Sequence, residues 1–483
     1  DFTEYDCKFP SCSSEYVVFE NGGYIYKYNV KTGAVDKVTI YLSDDDIYSR
    51  TEYRSGMNPS DFSLSPDGKR LLAVVRGDVF SLPAEEGPVY NISRSPESHE
   101  RGARWSPDGK RVAWISDAGG EYQIYVAPSD NMTNATCLTN FSNGYPDRLT
   151  WSPDGTRLYF STEKRDVYEL NADTKALVRI LVSNLGAYNS FTLSPDGAWA
   201  AYTTQLANKV SALFLFDVAA RKSYQVTDRW YDASSPVFSR DGKYLFFTSG
   251  RSLQAQYSSV EWNVSYDVSD YVFIVPLAKD TPNPLTLTSD EYSATDSDKA
   301  ASDKPGDKKD QAPSVTKVDI DGIGQRISTL PLEAGSYRLL LADNDKLYYT
   351  RYGNSRGGSN DDAVKAFDLK TLKDRDGFSG MPLAFTASCK KALVRTGGKY
   401  KVISLAGGNA GKGGFVPTGD IDMMVNHEAE WQQIFDESWR ITRDYFYVDN
   451  MHGVDWDHIH DKYAQLVPYV RHRDDLTYLI GEM

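Results

Sequence analysis

The sequence predicts a mainly β protein: a seven-bladed β-propeller with a partial blade before it and a short C-terminal α-helical segment. The first observation behind this prediction is a repeated tetrapeptide, Ser-Pro-Asp-Gly, whose four copies and one near copy begin at Ser65, Ser106, Ser152, Ser194 and Ser239. The second is their spacing of 41 to 46 residues, which suits one four-stranded blade. The third is a helical period that replaces the strand pattern after residue 427.

Each repeated turn joins two predicted strands. Pro presets the backbone of a type I turn, Asp tolerates the next position, and Gly closes the turn without a side-chain clash. A short β-rich segment precedes each turn, at residues 62–64, 103–105, 149–151, 191–193 and 236–238. A continuous apolar run follows each turn, at residues 70–75, 111–115, 157–160, 199–202 and 244–247. Such runs are typical of strands buried on both faces, here between neighbouring blades.

Two more strands complete each predicted blade. The third strand is apolar again, at residues 78–82, 122–126, 166–170, 212–216 and 271–275. The fourth is weaker and more polar, as at residues 89–93 and 223–227, which is usual for edge strands. Two further units without the turn motif cover residues 337–369 and 382–405, so the sequence predicts seven blades from about residue 58 to 406.

An eighth strand-rich unit lies upstream of the seven. Its strands are predicted at residues 16–19, 24–28 and 35–40. One interpretation is an eight-bladed propeller. The other is that residues 1–45 are the last blade of a different propeller, because a lone blade cannot bury its faces.

Two segments have the composition of connections rather than of strands. Residues 289–315 are rich in both charge signs and nearly free of large apolar side chains, which predicts a disordered insertion at a blade edge. Residues 407–426 are predicted to be a linker. The segment Ala406–Gly414 within this region faintly resembles a phosphate-binding loop, but Lys412 is followed by Gly instead of Ser or Thr.

The C-terminal region predicts three helices. Between His427 and Phe446 aromatic and apolar residues recur at steps of three and four, as in an amphipathic helix. A second helix is predicted over residues 456–466, with Asp455 as its N-cap, and a third over residues 473–483. Because the apolar pattern continues to the last residue, we interpret residues 427–483 as the opening of an α-containing domain.

Charge and hydropathy bound the class of partner. The net charge of −14 argues against nucleic acids and anionic membranes as partners, although simple solubility also explains it. No apolar run approaches the length that spans a membrane. The four cysteines do not form a disulfide framework; Cys7 and Cys12 could pair across a strand end, while Cys137 and Cys389 belong to separate blades.

No catalytic constellation is visible in the sequence. There is no Gly-x-Ser-x-Gly elbow and no His-Glu-x-x-His motif. His458, His460 and Asp461 could in principle bind a metal, but residues two apart on a helix face different ways, so we interpret them as a solvated surface. The sequence thus predicts no catalytic residue, no metal site and no cofactor, and it leaves the substrate-binding residues unknown.

The first predicted helix has a polar and an aromatic side. We expect its acidic residues to form the solvated face, and its tryptophans to belong to the core. The acidic residues are Glu428, Glu430, Asp436 and Glu437, and the tryptophans are Trp431 and Trp439.

Two longer stretches are more specific than the turns. One runs from Arg76-Gly-Asp-Val-Phe through His99-Glu-Arg to Ser116-Asp-Ala-Gly-Gly-Glu-Tyr. The other contains Glu430-Trp-Gln-Gln-Ile-Phe-Asp-Glu-Ser-Trp-Arg, Arg443-Asp-Tyr-Phe-Tyr, Gly453-Val-Asp-Trp and Asp475-Leu-Thr-Tyr-Leu-Ile-Gly-Glu-Met. Together, and in this order, they resemble the tricorn protease family of S41-type serine peptidases over essentially the whole chain.

This resemblance implies a domain order. The family has a six-bladed propeller, a seven-bladed propeller, a helical first catalytic subdomain, a PDZ domain and a second catalytic subdomain. Residues 1–45 would be the last blade of the first propeller, residues 58–406 the second propeller, and residues 427–483 the start of the helical subdomain. The resemblance therefore favours the second interpretation of the upstream unit.

The resemblance also implies a function. The parent protein would be a serine peptidase that degrades peptides, with the seven-bladed propeller as a substrate channel or size filter. The family's catalytic His and nucleophilic Ser would follow Met483, so the chain alone should be catalytically silent. The family further implies a homo-oligomer, a hexamer, and a cytoplasmic setting, or a periplasmic one if an export signal has been removed.

Two other functions fit the repeated turns. A prolyl-oligopeptidase-like peptidase would place an α/β-hydrolase domain after the propeller, which the helical pattern after residue 427 does not suit. A TolB-like propeller would be a binding module for proteins or peptides without catalysis. Downstream coding sequence would separate this module from the peptidase.

Overall fold

The structure is a computed structural model. It describes residues 2–43, 45–131, 133–182, 190–251, 255–257, 264–266, 270–286, 315–352, 363–405 and 413–483. The predicted insertion at residues 289–315 lies outside the described residues except for Val315. The same holds for residues 406–412 of the glycine-rich segment.

A small antiparallel sheet precedes the main body. It contains β1 (Cys7–Cys12), β2 (Tyr16–Asn21), β3 (Tyr24–Asn29) and β4 (Val35–Lys37) in sequence order. The next strand, β5 (Glu52–Ser55), belongs to neither this sheet nor the blades.

Seven antiparallel meanders follow, and we number them as blades. Blade 1 contains β6 (Ser60–Leu64), β7 (Arg70–Val75), β8 (Asp78–Pro83) and β9 (Tyr90–Asn91). Blade 2 contains β10 (Arg101–Trp105), β11 (Arg111–Ser116), β12 (Gln123–Pro128) and β13 (Thr136–Cys137). Blade 3 contains β14 (Asp147–Trp151), β15 (Arg157–Ser161), β16 (Val167–Asn171) and β17 (Leu177–Leu181). Blade 4 contains β18 (Ser190–Leu193), β19 (Trp199–Gln205), β20 (Ser211–Asp217) and β21 (Lys222–Gln225).

The last three blades are less regular. Blade 5 contains β22 (Ala233–Phe238), β23 (Tyr244–Ser249), β26 (Tyr271–Pro276) and β27 (Ser328–Thr329), with the hairpin β24 (Ala255–Tyr257) and β25 (Val264–Tyr266) inserted. Blade 6 contains β28 (Ser336–Ala342), β29 (Lys346–Tyr352), β30 (Ala363–Asp368) and β31 (Lys373–Ser379). Within the described residues blade 7 has three strands, β32 (Met381–Phe385), β33 (Lys391–Thr396) and β34 (Lys399–Ser404).

The seven blades close into a ring. An apolar cluster fills the space between each blade and the next, and Leu393 and Val402 of blade 7 pack with Leu71 and Phe80 of blade 1. The first strands of neighbouring blades contact one another, including β32 with β6, so they are the innermost strands. This arrangement is consistent with the predicted seven-bladed propeller. Full burial of each large apolar side chain contributes about 1.5–3 kcal/mol to the free energy of folding.

The repeated turn is held by its own side chains. In blade 1 Ser65 Oγ donates to Asp67 Oδ1 (2.6 Å) and accepts from Arg70 N (3.0 Å). Asp67 Oδ1 also accepts from Lys69 N (3.0 Å), so the polar groups of the turn are paired. The same Ser-to-Asp bond occurs at Ser106 and Asp108, Ser152 and Asp154, Ser194 and Asp196, and Ser239 and Asp241. The motif is therefore a self-satisfied hairpin turn.

Blade 7 has a degenerate copy of this turn. Thr386 Oγ1 accepts from Lys391 N (3.1 Å), as the serine does in the other blades. Cys389 has a left-handed φ of 55° at the position where the others have Gly. Sequence reasoning missed this copy because Thr-Ala-Ser-Cys shares no residue with Ser-Pro-Asp-Gly.

Three helices follow, and their predicted positions are confirmed within two residues at each end. They are α1 (His427–Tyr445), α2 (Trp456–Ala464) and α3 (Arg473–Glu482). Asp455 caps α2 as predicted, because its side chain accepts from His458 N (3.0 Å). Trp431 and Phe435 of α1 pack with Leu476 of α3 in a small core. Among the described helices, none is both long and apolar enough to cross a membrane.

The segment before α1, residues 413–425, covers the junction between blades 7 and 1. Val416 N donates to Tyr400 O (2.9 Å), so this segment runs beside the three-stranded blade 7. The last strand, β35 (Asp422–Val425), then pairs antiparallel with β5. Val416, Ile421, Met423 and Val425 enter the apolar cluster between blades 7 and 1. This part of the predicted linker thus belongs to the packed core.

The N-terminal sheet lies against the helices, outside the ring. Tyr5 Oη donates to Lys462 O (2.5 Å), and Lys8 forms an ion pair with Glu482. The suggested pairing of Cys7 with Cys12 is wrong. The two thiols are free and stand at opposite ends of β1, where a rise of about 3.3 Å per residue keeps them too far apart for a disulfide.

Candidate functional site

Helix α1 lies on one face of the ring. This face carries the loops between second and third strands and the loops between blades, opposite to the repeated turns. The helix contacts Arg76 of blade 1, Asp117, Gly120 and Glu121 of blade 2, and Gly144 before blade 3. The junction of α1 with blades 1–3, called the clamp below, is the most elaborate polar site among the described residues.

A buried ion pair forms the centre of the clamp. Arg440 pairs with Asp117, and both side chains are almost fully buried. Arg440 Nη1 also donates to Gly120 O (2.7 Å). The Asp117 carboxylate accepts from Gln433 Nε2 (3.0 Å) and His99 N (2.6 Å). Buried charges need such partners, so the pair fixes the rotation of α1 on blade 2.

Glu437 holds a second network one helical turn away. Its carboxylate receives bonds from Tyr122 Oη (2.5 Å), Tyr145 Oη (3.1 Å) and Gln433 Nε2 (2.8 Å), and it lies 3.0 Å from His99 Nδ1. Gln433 lies on α1 itself, whereas His99 and Tyr122 flank strands of blade 2 and Tyr145 precedes blade 3, so the network joins α1 to blade 2 and to the loop before blade 3.

The network shifts the pKa of its members. Burial alone would raise the pKa of Glu437, but the bonds from His99 and Tyr122 outweigh it and hold the pKa well below its usual range. Burial alone would lower the pKa of His99, but the bond to Glu437 and its charge raise it. Burial raises the pKa of Tyr145 to about 12 and that of Tyr122 still further. Glu437 is therefore a carboxylate beside an imidazolium at mildly acidic pH.

Ion pairs at the margins extend the clamp along the helix. Arg443 forms a two-point pair with Glu121 of blade 2 (2.7 Å for each bond). At the other end of α1, Glu430 pairs with Arg76 of blade 1, and His427 Nε2 lies 2.9 Å from Glu52 of β5. The helix is thus held at both ends as well as in the middle.

The expectation that all four acidic residues of α1 form a solvated face is wrong for three of them. Glu428 is exposed, but Glu430 and Glu437 bind the ring, and Asp436 lies 2.9 Å from His460 Nε2. Helical periodicity cannot show this, because the ring partners of Glu430 and Glu437 lie 292 to 354 residues away in the sequence. Trp431 is buried as expected, and Trp439 is half-buried.

The two stretches that carry the family resemblance are the two sides of the clamp. His99, Asp117 and Tyr122 lie in the first stretch, and Glu437 and Arg440 in the second. The two stretches are therefore in direct contact with each other in the fold. Nothing in a single sequence shows that the two stretches contact each other. Both contain Arg and Asp residues, which is compatible with an ion pair between them but does not predict one.

A cavity of about 740 Å³ lies beside the clamp. Its walls come from blade 1, from the ribbon of β5 and β35, and from the first turns of α1 and α3. Lining residues include Glu52, Arg54, Arg76, His427, Trp431 and Ile434. The volume is in the range of sites that bind small molecules or peptide side chains.

His458 and His460, which the sequence offers in principle as metal ligands, both lie on α2. His460 binds Asp436 and packs against the ring of Trp439, while His458 is exposed and lies 3.4 Å from Glu4. The two imidazoles therefore face different partners. Within the described ranges, no cluster of three or more His, Cys, Asp or Glu residues could hold a metal ion.

The innermost strands carry a recurrent irregularity. The pairing of the first and second strands shifts register in blades 1, 2, 3 and 5. Asp61, Gly102, Arg148 and Ser235 have left-handed φ at these shifts, as in β-bulges. Asp61 accepts from Gly102 N (2.7 Å) and from Arg104 Nη1 (2.8 Å), which links blades 1 and 2.

Comparisons with known proteins agree over the whole chain. The sequence models of the Tricorn protease second beta propeller domain and the Tricorn protease C1 domain match residues 60–406 and 427–483. Tricorn protease homolog 1 of Streptomyces coelicolor is 26% identical over 444 residues, covering 87% of this chain and 41% of that protein. Tricorn protease of Thermoplasma acidophilum is 24% identical over 510 residues, covering 100% of this chain and 44% of that protein.

A solved structure shows the same fold. The crystal structure of the tricorn protease superposes with a TM-score of 0.81 at 21% identity, covering 100% of this chain and 46% of that one. The chain therefore spans less than half the length of these relatives.

Proposed function

Because this chain belongs to the tricorn protease family, we propose that it forms the substrate-admitting part of a serine-type peptidase that degrades peptides. The observation that carries this proposal is the clamp, in which a helix of the region matched by the C1 domain is locked onto one face of the ring. A helical subdomain fixed in this way can receive whatever leaves the ring on that face.

The inner surface of the ring supports a channel role. The innermost strands expose polar residues such as Asp147, Arg148, Thr150 and Ser234. A polar inner wall offers little apolar surface to hold a peptide, so extended chains would pass without being trapped. A closed ring of seven blades would at the same time exclude folded domains by their size.

We propose that the catalytic groups lie outside these 483 residues. The family resemblance assigns the nucleophilic Ser and its His to later parts of the sequence. We expect the isolated chain to leave fluorogenic peptides intact, and a longer protein that contains it to hydrolyse them. Hydrolysis by the isolated chain would contradict this assignment.

A narrowed ring would test the filter. We expect Arg148→Trp in the longer protein to lower kcat/KM for peptides of ten or more residues while sparing the shortest fluorogenic substrates. Lys175→Trp is the matched control, because Lys175 also has left-handed φ in blade 3 but lies on the outer hairpin. Equal effects of both substitutions on long and short substrates would refute a channel through the ring.

The same proposal includes a homo-oligomer, a hexamer, which rests on the family resemblance. Sedimentation of the longer protein would test this state. A monomer at micromolar concentration would contradict it.

A further inference from the structure

The ribbon of β5 and β35 has an edge that no other described strand covers. In the described part of the chain β5 pairs only with β35. Thr51, Tyr53, Arg54, Ser55 and Gly56 are all exposed. An uncovered strand edge presents a row of unpaired N–H and C=O groups, which is a template for a further strand.

One hydrogen bond shows which backbone groups face outward. Gly56 N donates to Ile421 O (3.0 Å), and Arg54 lies opposite Met423 in the same register. Hydrogen-bonded and non-hydrogen-bonded residue pairs alternate in an antiparallel ladder. Since Gly56 and Ile421 form a hydrogen-bonded pair, Arg54 and Met423 form the next hydrogen-bonded pair. The N–H and C=O groups of Tyr53 and Ser55 therefore point away from β35. None of the described residues bonds to them.

The side chains of β5 connect this edge to the cavity. Glu52 and Arg54 share one face of the strand and line the cavity of about 740 Å³. A peptide strand beside β5 would send alternate side chains to the same face. The peptide residue opposite Arg54 would enter the cavity, since directly opposed residues share a face.

One part of the cavity suits large uncharged side chains. Two of the three arginines that line the cavity are already neutralised, since Arg54 pairs with Glu52 and Arg76 pairs with Glu430, and the third, Arg473, is exposed to solvent. Val74, Trp431 and Ile434 supply apolar wall. An apolar side chain would gain from this wall without displacing an ion pair.

We propose that the free edge of β5 binds an extended peptide by strand addition, with a large apolar residue of the peptide in the adjacent cavity. The inference rests on the proposed function, which brings peptides to this face of the ring. Backbone bonds to Tyr53 and Ser55 would supply affinity for any sequence, and the cavity would supply selectivity.

A substitution at the outward-facing N–H tests the proposal in the 483-residue chain. The probe is a fluorescein-labelled nonapeptide of alternating Leu and Ser, followed by fluorescence anisotropy. Tyr53→Pro removes an N–H that the ribbon does not use, so we expect at least tenfold weaker binding and an unchanged thermal midpoint. Tyr53→Val keeps the N–H and should bind within threefold of the original chain.

Two further measurements make the test decisive. Met424→Pro removes an outward N–H from the opposite edge of the ribbon, and it should leave binding unchanged. The same nonapeptide with N-methyl groups on alternate residues should bind at least tenfold more weakly, whatever the stability of the variants. Equal binding of the methylated peptide, loss of binding in Met424→Pro alone, or no binding at millimolar peptide would each overturn the proposal.

This outcome is separable from that of the proposed function. A longer protein that hydrolyses peptides, together with a chain whose binding ignores Tyr53→Pro and N-methylation, would overturn the strand-addition site alone. Absence of peptide hydrolysis would instead overturn the peptidase proposal.

Discussion

At the scale of single residues, the Asp117–Arg440 pair decides how strongly helix and ring are joined. Removing one partner leaves a buried charge, which costs about 3–5 kcal/mol. We therefore expect Asp117→Ala to lower the unfolding midpoint in urea, monitored by tryptophan fluorescence. Arg440→Met in the same chain should recover a large part of the loss, because no charge then remains uncompensated.

Arg76 provides the matched control for this prediction. It also pairs with a carboxylate across the junction, Glu430 of α1, but its side chain keeps 31% of its exposure. Arg76→Met should therefore cost only about 1 kcal/mol. Additive losses in the Asp117/Arg440 double variant would show that the two residues are not energetically coupled.

The His99–Glu437 contact should make stability depend on pH from both sides. The pKa of His99 is raised above 6.5, so its contribution is complete below that pH and is lost as the pH rises through the raised value. The pKa of Glu437 is lowered below 4.5, so its contribution is complete above that pH and is lost as the pH falls through the lowered value. The contact is therefore strongest between these two pH values.

A histidine variant would show the pH range over which this contact stabilises the protein. We expect His99→Gln to lower the thermal midpoint most at pH 5–6, with a difference that shrinks steadily above neutral pH. Asp117 and Arg101 also act on His99, the first raising and the second lowering its pKa, so a constant difference from pH 5 to 9 would show that the charge on His99 is not what matters.

At the scale of an element, the repeated turn depends on its glycine. Gly109 has φ of 73°, and a Cβ there would meet only the ring of Pro66, with Cδ at 3.4 Å and Cγ at 3.5 Å. Strain is therefore the main cost, and a left-handed L-residue costs about 1–2 kcal/mol. We expect Gly109→Ala to lower the unfolding free energy by that amount, as measured by urea denaturation.

The control for the turn is a glycine outside the left-handed region. The backbone of Gly419 lies outside the left-handed region, and no atom lies within 4 Å of the position that a Cβ would take there. Gly419→Ala should therefore be neutral or slightly stabilising. If both alanines behave alike, the turn does not rely on left-handed backbone.

At the scale of elements, the sequence predicted those features that depend only on residues close together in the chain. The turn motif, the strand order of five blades and the cap at Asp455 follow from spacing and side-chain type, and the structure has them. The clamp does not follow, because Glu437 meets His99 across 338 residues of chain. Likewise, the axial bulges at Asp61 and Arg148 need a partner strand before they exist. Contacts of this kind have no periodic signature in one sequence.

For the whole molecule, the sequence did not predict how the ring closes. In the part of the chain that the structure describes, blade 7 has three strands instead of four, so its outer edge and its junction with blade 1 need another cover. The segment at residues 413–425 supplies it, first beside Tyr400 and then through β35. Its composition predicted a linker, because Gly dominates its start and the alternation of Ile421, Met423 and Val425 is too short to stand out as a strand.

The junction between blades 7 and 1 leads to a prediction about truncated chains. Residues 46–426 retain Val416, Ile421, Met423 and Val425, each of which contributes about 1.5–3 kcal/mol when fully buried. Residues 46–405 lack all four and expose the apolar junction of blades 7 and 1. We expect the shorter chain to unfold at a lower temperature and to bind a hydrophobic dye in the native state, in a scanning fluorimetry experiment on both. Since both chains lack α1, the clamp cannot cause the difference, and equal midpoints would mean that the blades close without the segment at 413–425.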